Sequence, residues 1–275
     1  MIRGARPTIL IPAGTADGRL LATSLAKTYR VIATVATPEG EHLLGKAVQK
    51  VIQGRMDQAA FVRVIREEGV DLLVDATHPY ATLVSDLAYA SAREAQIPYL
   101  RYQRPPTPIS YRSCYRLPSP EAAAQRTFQA WQEKRKPIFL TTGVKELPLF
   151  VQAFAGHLDE IHQALVARIL PGETSLKLAR EAGFDERNLV FGLGPFSYAD
   201  NVKTLQELGA GALVTKDGGI LGGLPEKLEA CAHLEIPVFL IDRPPIRIPL
   251  DLVYPSLEAL TEQVELLLGE KAGNQ

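Results

Sequence analysis

The sequence predicts an α/β protein built of two Rossmann-like lobes with mostly parallel sheets. Three observations carry this. Short apolar runs of four to six residues, rich in Val, Ile and Leu, recur without polar alternation, as in strands buried on both faces. Amphipathic helical patterns lie between them, and strand alternating with helix means a mostly parallel sheet. The two halves of the 275-residue chain also match each other in register.

Taken in order, the first-half strands are expected at Thr8–Pro12, Arg30–Val35, Asp71–Asp75 and Ile97–Leu100. Those of the second half are Ile138–Thr141, Ala164–Ile169, Leu189–Phe191, Ala212–Thr215 and Val238–Ile241. Phe61, Val64 and Ile65 mark one helix face, with Gly69 as its terminator. Ala124, Phe128 and Trp131 mark another, opened by Ser119 as N-cap and Pro120 in the first turn. Ser197 and Asp200 read as a capping box for a helix running to Leu208. Leu257, Leu260, Val264 and Leu267 form the stripe of a last helix.

The internal match is longest around two proline-rich segments. Ile97-Pro98-Tyr99-Leu100 leads to Arg104-Pro105-Pro106, and Ile236-Pro237-Val238-Phe239 leads to Arg243-Pro244-Pro245 with the same spacing. Pro118-Ser119-Pro120-Glu121-Ala122 then matches Pro255-Ser256-Leu257-Glu258-Ala259. An internal duplication follows, with a nucleotide-binding lobe over 1–136, a second lobe over 137–275, and an active site expected in the cleft between them.

Composition narrows the function. Hydrophobic residues are 46% and charged residues 22%, so a sizeable core is available. Thirty basic and 31 acidic side chains leave a net charge of −1, which argues against a general nucleic-acid or membrane-surface binder. No apolar run approaches the ~20 residues of a membrane span, and the apolar stretch Ile9–Pro12 is too short for a signal peptide. The two cysteines, Cys114 and Cys231, sit in no CxxC or Cys/His cluster, so a reduced, cytoplasmic protein is expected. No histidine spacing assembles a metal site. A monomer or weak homodimer is expected.

Chemistry concentrates where strands end. Ala13-Gly14-Thr15-Ala16-Asp17-Gly18-Arg19 follows the first strand and opens a helix. Gly14 can take positive φ and lets backbone approach a ligand, and Gly18 allows close helix–sheet packing. A helix start suits a pyrophosphate, although the loop is a degenerate form of the dinucleotide fingerprint. The second strand ends in Thr34 and Thr37 hydroxyls, with no tip carboxylate for a ribose 2′-OH, which favours NADPH over NADH. In Val74-Asp75-Ala76-Thr77-His78-Pro79-Tyr80-Ala81, a buried strand ends in an acid and a helix is expected from near Pro79. Thr77, His78 and Tyr80 then face the ligand edge. In the second half, Thr141-Thr142-Gly143-Val144-Lys145, Gly194-Pro195-Phe196-Ser197 and Thr215-Lys216-Asp217-Gly218-Gly219 follow strands, and Arg168 lies within one. Hydroxyls and cations at one edge suit carboxylates or phosphates.

Gly14 to Arg19, Val74 to Ala81, Leu140 to Gly143, Gly194 to Phe196 and Leu213 to Asp217 occur in the same order in the precorrin-6A reductases of cobalamin biosynthesis, which this chain resembles over nearly its whole length. The resemblance implies pyridine-nucleotide-dependent reduction of one double bond in a polycarboxylate tetrapyrrole. Ala36-Thr37-Pro38-Glu39-Gly40 is similar to the cobalt-containing anaerobic branch, with cobalt-precorrin-6A as substrate. It implies cofactor contacts at Gly14, Thr15, Ala16, Gly18, Arg19, Thr34, Thr37, Asp75, Ala76 and Thr77. His78 and Tyr80 are the candidates for proton delivery or ring contact. Substrate carboxylates are expected on Lys145, Arg168, Lys216, Arg101 and Arg104, beside Thr141, Thr142, Gly143 and Ser197. Cobalt belongs to the substrate. A uroporphyrinogen-synthase-like cyclase and a non-catalytic tetrapyrrole carrier are the alternatives, and the first loop argues against the cyclase.

Overall fold

The structure, a computed structural model, describes residues 6–36 and 38–273. The first stretch of chain runs β1 (Thr8–Pro12), α1 (Ala16–Leu25), β2 (Arg30–Val35), α2 (Pro38–Leu44), β3 (Lys50–Gln53), α3 (Gln58–Glu67), β4 (Leu72–Asp75), α4 (Thr82–Glu94) and β5 (Tyr99–Tyr102). Then come β6 (Cys114–Leu117) and α5 (Pro120–Lys134). The rest runs β7 (Ile138–Leu140), α6 (Leu147–Ala153), α7 (Ile161–Ala164), β8 (Leu165–Ile169), α8 (Glu173–Glu181), β9 (Leu189–Phe191), α9 (Tyr198–Glu207), β10 (Ala212–Lys216), α10 (Leu224–His233) and β11 (Val238–Ile241), closed by β12 (Val253–Tyr254) and α11 (Leu257–Gly273).

Two six-stranded sheets result, ordered β12-β5-β4-β1-β2-β3 and β6-β11-β10-β7-β8-β9. Every described pairing is parallel. Both follow the doubly wound order, and the repeat noted in the sequence maps β1 on β7, β4 on β10 and β5 on β11. The sixth strand is exchanged. After β5 the chain supplies β6 and α5 to the second sheet, and after β11 it supplies β12 and α11 to the first.

The expected boundary at 136 is therefore corrected. One compact unit takes the chain up to Pro105 and again from Pro245, and the other is the continuous stretch Pro106–Pro244. The two Arg-Pro-Pro segments, not the middle of the chain, mark the crossings.

In the first unit, Leu21, Leu25, Leu44, Leu260 and Val264 cover one sheet face, and Phe61, Ile65, Ala88 and Ala92 the other. In the second, Leu205, Leu224, Leu228 and Cys231 from α9 and α10 pack on Phe139, Leu213 and Val238. The caps form as the sequence implies. Ser119 accepts from Ala122 N–H, Ser197 and Asp200 make a reciprocal capping box, and Gly69 (φ +59°) follows α3. Two elements move. β5 starts two residues late because Ile97 N–H closes on Ala92 carbonyl at 3.0 Å and Pro98 has no N–H to give, and α4 starts at Thr82, after a turn closed by Ala81 N–H on His78 carbonyl at 2.8 Å. No described helix is long and apolar enough to cross a membrane.

Candidate active site

Ligands of such sheets bind at the carboxyl ends of the strands. In the first unit, Thr15 organises that edge. Its Oγ1 accepts from Gly18 N–H at 2.9 Å, capping α1, and donates to Ala76 carbonyl at 2.9 Å. One hydroxyl thus ties the β1–α1 turn to the tip of β4. Gly18 is required by space, since a Cβ there would stand 3.0 Å from Ala13 Cα and 3.1 Å from both Ala76 O and Thr15 Oγ1. Gly14 does not use the positive φ open to it. Its φ is not in the left-handed region, and a Cβ would meet nothing within 4 Å. What Gly14 provides is open space beside the helix start, where the first N–H groups have no partner inside the helix. Ala16 and Arg19 are half-exposed in the same first turn, and Thr34 is buried with its carbonyl accepting from Ala13 N–H at 2.9 Å. Thr37 lies outside the described residues.

Beneath this turn lies a buried ion network. Asp75, 0% exposed, accepts from Thr77 N–H at 2.9 Å, Tyr99 Oη at 2.8 Å and Arg101 Nη1. Burial first, then the Asp75 charge, pushes the Tyr99 phenol far above its usual range. Arg101 also donates to Ser85 Oγ and, at 3.0 Å, to Gln103 Oε1. The expectation that Arg101 offers itself to a substrate carboxylate is corrected: it is sealed beside Asp75 in the sheet. Asp75 in turn is spent on Arg101 rather than presented to a cofactor. Arg104 is likewise ion-paired to the buried Asp17. Asp17 was missed by sequence reasoning, and its signal was the Arg-Pro-Pro arginine. Thr15, Asp17, Ala76, Thr77, Pro79 and Arg104 line a small cavity here.

His78 and Tyr80 stay half-buried at the β4 tip, with rings 5.5 Å apart, and His78 Nδ1 accepts from Tyr80 N–H at a long 3.4 Å. The same loop carries both.

In the second unit Thr141 N–H and Oγ1 both donate to Val214 carbonyl, at 2.8 and 3.0 Å. Thr142 holds a buried hydroxyl with no partner among the described residues, and Gly143 takes φ +93°. Lys145 is exposed. Lys216 is corrected: its ammonium sits on Glu146. Asp217, next to it, accepts from Thr107 Oγ1 at 2.8 Å and pairs with Arg243 at 3.1 Å. Burial pushes the Asp217 carboxyl up, but Thr107 and Arg243 outweigh that and hold it below the usual range. Arg168 is buried, and Ser197 is used as a helix cap. Among the described residues no group of three metal-ligating side chains occurs.

Two doubly wound parallel sheets, one with a threonine-tied, glycine-dependent helix start, define an α/β protein of the Rossmann class. A family model described as "Precorrin-6x reductase CbiJ/CobK" matches residues 8–267, and the chain belongs to this family of oxidoreductases. It is 34% identical over 251 residues to a cobalt-precorrin-6A reductase of Priestia megaterium, covering 91% of this chain and 95% of that one. A precorrin-6A reductase of Mycobacterium tuberculosis is 31% identical, with 86% and 88% covered. The solved structure titled "CobK precorrin-6A reductase" superposes with a TM-score of 0.74 at 22% identity, covering 95% and 97%, and shares the fold.

Proposed function

We propose that this protein reduces one double bond of cobalt-precorrin-6A with NADPH. The observation that carries it is the β1–α1 turn of a family reductase. Any side chain at Gly18 would crowd Ala13 and Ala76 backbone, Thr15 locks the helix start, and Gly14 leaves space open beside it. These residues fit a dinucleotide pyrophosphate. A nicotinamide cofactor held there would supply hydride to an electrophilic carbon of the macrocycle.

The chain's own work is positioning. Thr15 and Gly18 orient the helix N-terminus, and the Asp75–Arg101 pair stiffens the β4 tip below it. Holding a ring against the nicotinamide supplies much of the rate. His78 and Tyr80 contact the macrocycle from the β4 loop, and the proton that follows hydride comes from one of them or from water. Lys145 is exposed for a substrate carboxylate. The identity to relatives named for the cobalt form supports that substrate over the metal-free one.

An anaerobic assay with cobalt-precorrin-6A and precorrin-6A, each with NADPH and NADH, tests this. NADPH oxidation should be fastest with the cobalt form. Binding of either macrocycle with no oxidation of either nucleotide would leave a carrier and overturn the proposal.

A further inference from the structure

At the carboxyl edge of the second sheet one guanidinium is buried without a carboxylate beside it. Arg168, on β8, is 7% exposed. Its guanidinium carbon lies over the rings of Phe139 and Phe196, 4.9 and 3.8 Å from their centroids. Nη1 donates to Asn201 Oδ1 at 3.1 Å and Nη2 to Thr204 Oγ1 at a long 3.5 Å, both neutral acceptors on α9. Nε is buried and has no acceptor among the described residues. Asp200 is the acid whose charge reaches Arg168, and that carboxylate is committed to capping α9 through Ser197. Burial lowers the Arg168 pKa to about 10. A buried cation with an unused N–H is costly unless something pairs with it.

A second cation joins it. Lys227 stands near the start of α10, the end of a helix where a positive charge is disfavoured. Its ammonium makes one long hydrogen bond, 3.4 Å, to Gly222 carbonyl. The side chain is half-buried, and that burial, then the nearby Arg168 charge, lowers its pKa to about 8, with Glu226 acting the other way. The start of α10 also abuts the segment that covers Arg168. A Cβ on Gly223 would lie 3.5 Å from Pro195 Cβ and 3.8 Å from Phe196 N and Glu226 Oε2. Gly192 lets the Phe196 ring lie down, because a Cβ there would come within 2.5 Å of it.

We propose that Arg168 and Lys227, at the start of α10, form a subsite for a carboxylate side chain of the macrocyclic substrate. The inference rests on the reading of the protein as a tetrapyrrole reductase. Nε with Nη2 is the side-on edge of a guanidinium, which binds the two oxygens of a carboxylate, and the weak Thr204 contact leaves that edge available. Glu226, flanking Lys227, disfavours a doubly charged phosphate. Access is past the Phe196 segment. Its neighbours Phe191 and Leu193 are 45% and 71% exposed, and form an apolar rim that a flat macrocycle would cover.

The test is fluorescence titration of the full chain with an octacarboxylate porphyrin and with its octamethyl ester. Lys227→Met and Arg168→Lys should each weaken binding of the acid by about ten- to a hundredfold, the loss of one charge-assisted contact. Lys227→Arg should retain it, and ester binding and the NADPH dissociation constant should not move. Lys227→Met binding the acid like the parent, or losing acid and ester equally, overturns the subsite. So does inorganic phosphate displacing the porphyrin from the parent at lower concentration than acetate does. No turnover is involved, so a protein that shows this charge dependence yet never oxidises NADPH would keep the subsite and lose the reductase.

Discussion

Asp75 and Arg101 face each other across adjacent parallel strands, in register, and their ion pair is buried among Tyr99, Ser85 and Thr77. It lies directly under the tip that presents His78. Removing one partner leaves the other charged and unpaired, which typically costs ~3–5 kcal/mol. Arg101→Met should therefore lose about that much in urea unfolding. The double variant Asp75→Asn, Arg101→Met should recover part of it. Equal losses in single and double variants would mean that the pair contributes packing only.

The β1–α1 turn separates space from function. Gly18→Ala should destabilise the fold by ~1–3 kcal/mol, because the neighbours of the new methyl are largely backbone. A Cβ at Gly14 meets nothing within 4 Å, so thermal unfolding of Gly14→Val should stay near that of the parent. Its NADPH dissociation constant should nonetheless rise at least tenfold, since the branch fills the space meant for phosphate. An unchanged constant would move the cofactor elsewhere.

His78→Asn keeps a polar group at the β4 tip and distinguishes contact from proton transfer. General acid catalysis is worth ~100–10,000-fold. A lost contact to a charged group costs roughly 10–150-fold in binding. We expect KM to rise and kcat to fall less than about 100-fold. A larger fall in kcat at constant KM, with one limb of the pH profile gone, would assign His78 the proton.

Burial pushes the Cys114 thiol up to about 11 and the Cys231 thiol up to about 12. Neither ionises near neutrality, so both should react sluggishly with iodoacetamide in the folded state. Cys114→Ser with Cys231→Ser should turn over normally. The buried hydroxyl at 231 should cost ~1–3 kcal/mol in stability.

Lys227 gives stability a pH signature. Its folded pKa of about 8 lies below the 10.5 of the free side chain, so the unfolded chain holds the proton more tightly. The penalty is complete below about pH 8 and fades as pH rises toward 10.5. Lys227→Met should be more stable than the parent by ~1–3 kcal/mol at neutral pH, the worth of one to two pKa units. The difference should shrink between pH 8 and 10.5, measured by urea unfolding at each pH. A constant difference would place the ammonium in water.

Much of this architecture was legible. β1, β2 and β11 fall where the apolar runs put them, because inner strands under helices show an unbroken apolar signal, and β9, although an edge strand, was found because Leu189, Val190 and Phe191 are all apolar. β3, β6 and β12 were missed for the converse reason. Lys50–Gln53 and Cys114–Leu117 are edge strands with half-exposed or exposed side chains, and Val253–Tyr254 is two residues long. The repeat located the Arg-Pro-Pro segments but could not say which sheet the next strand joins, since pairing partners leave no mark in local pattern. The same blindness applies to charge. Arg101, Arg104 and Lys216 look like free cations in a sequence, yet each has an acid waiting from a distant strand or turn. Lys227 carries no signal in the sequence, because its partial burial depends on a neighbouring helix and loop.

The exchange of sixth strands sets a timetable for the nascent chain. When β5 leaves the ribosome, its outer edge has no strand to close it, because β12 is encoded far downstream, after the whole second unit. At ~5–20 residues per second the wait lasts about 10–30 seconds. During that time the second unit, an uninterrupted stretch, can finish folding while the first still shows an open hydrogen-bonding edge. β12 with α11, synthesised only after the whole second unit, is thus the piece that completes the sheet begun first.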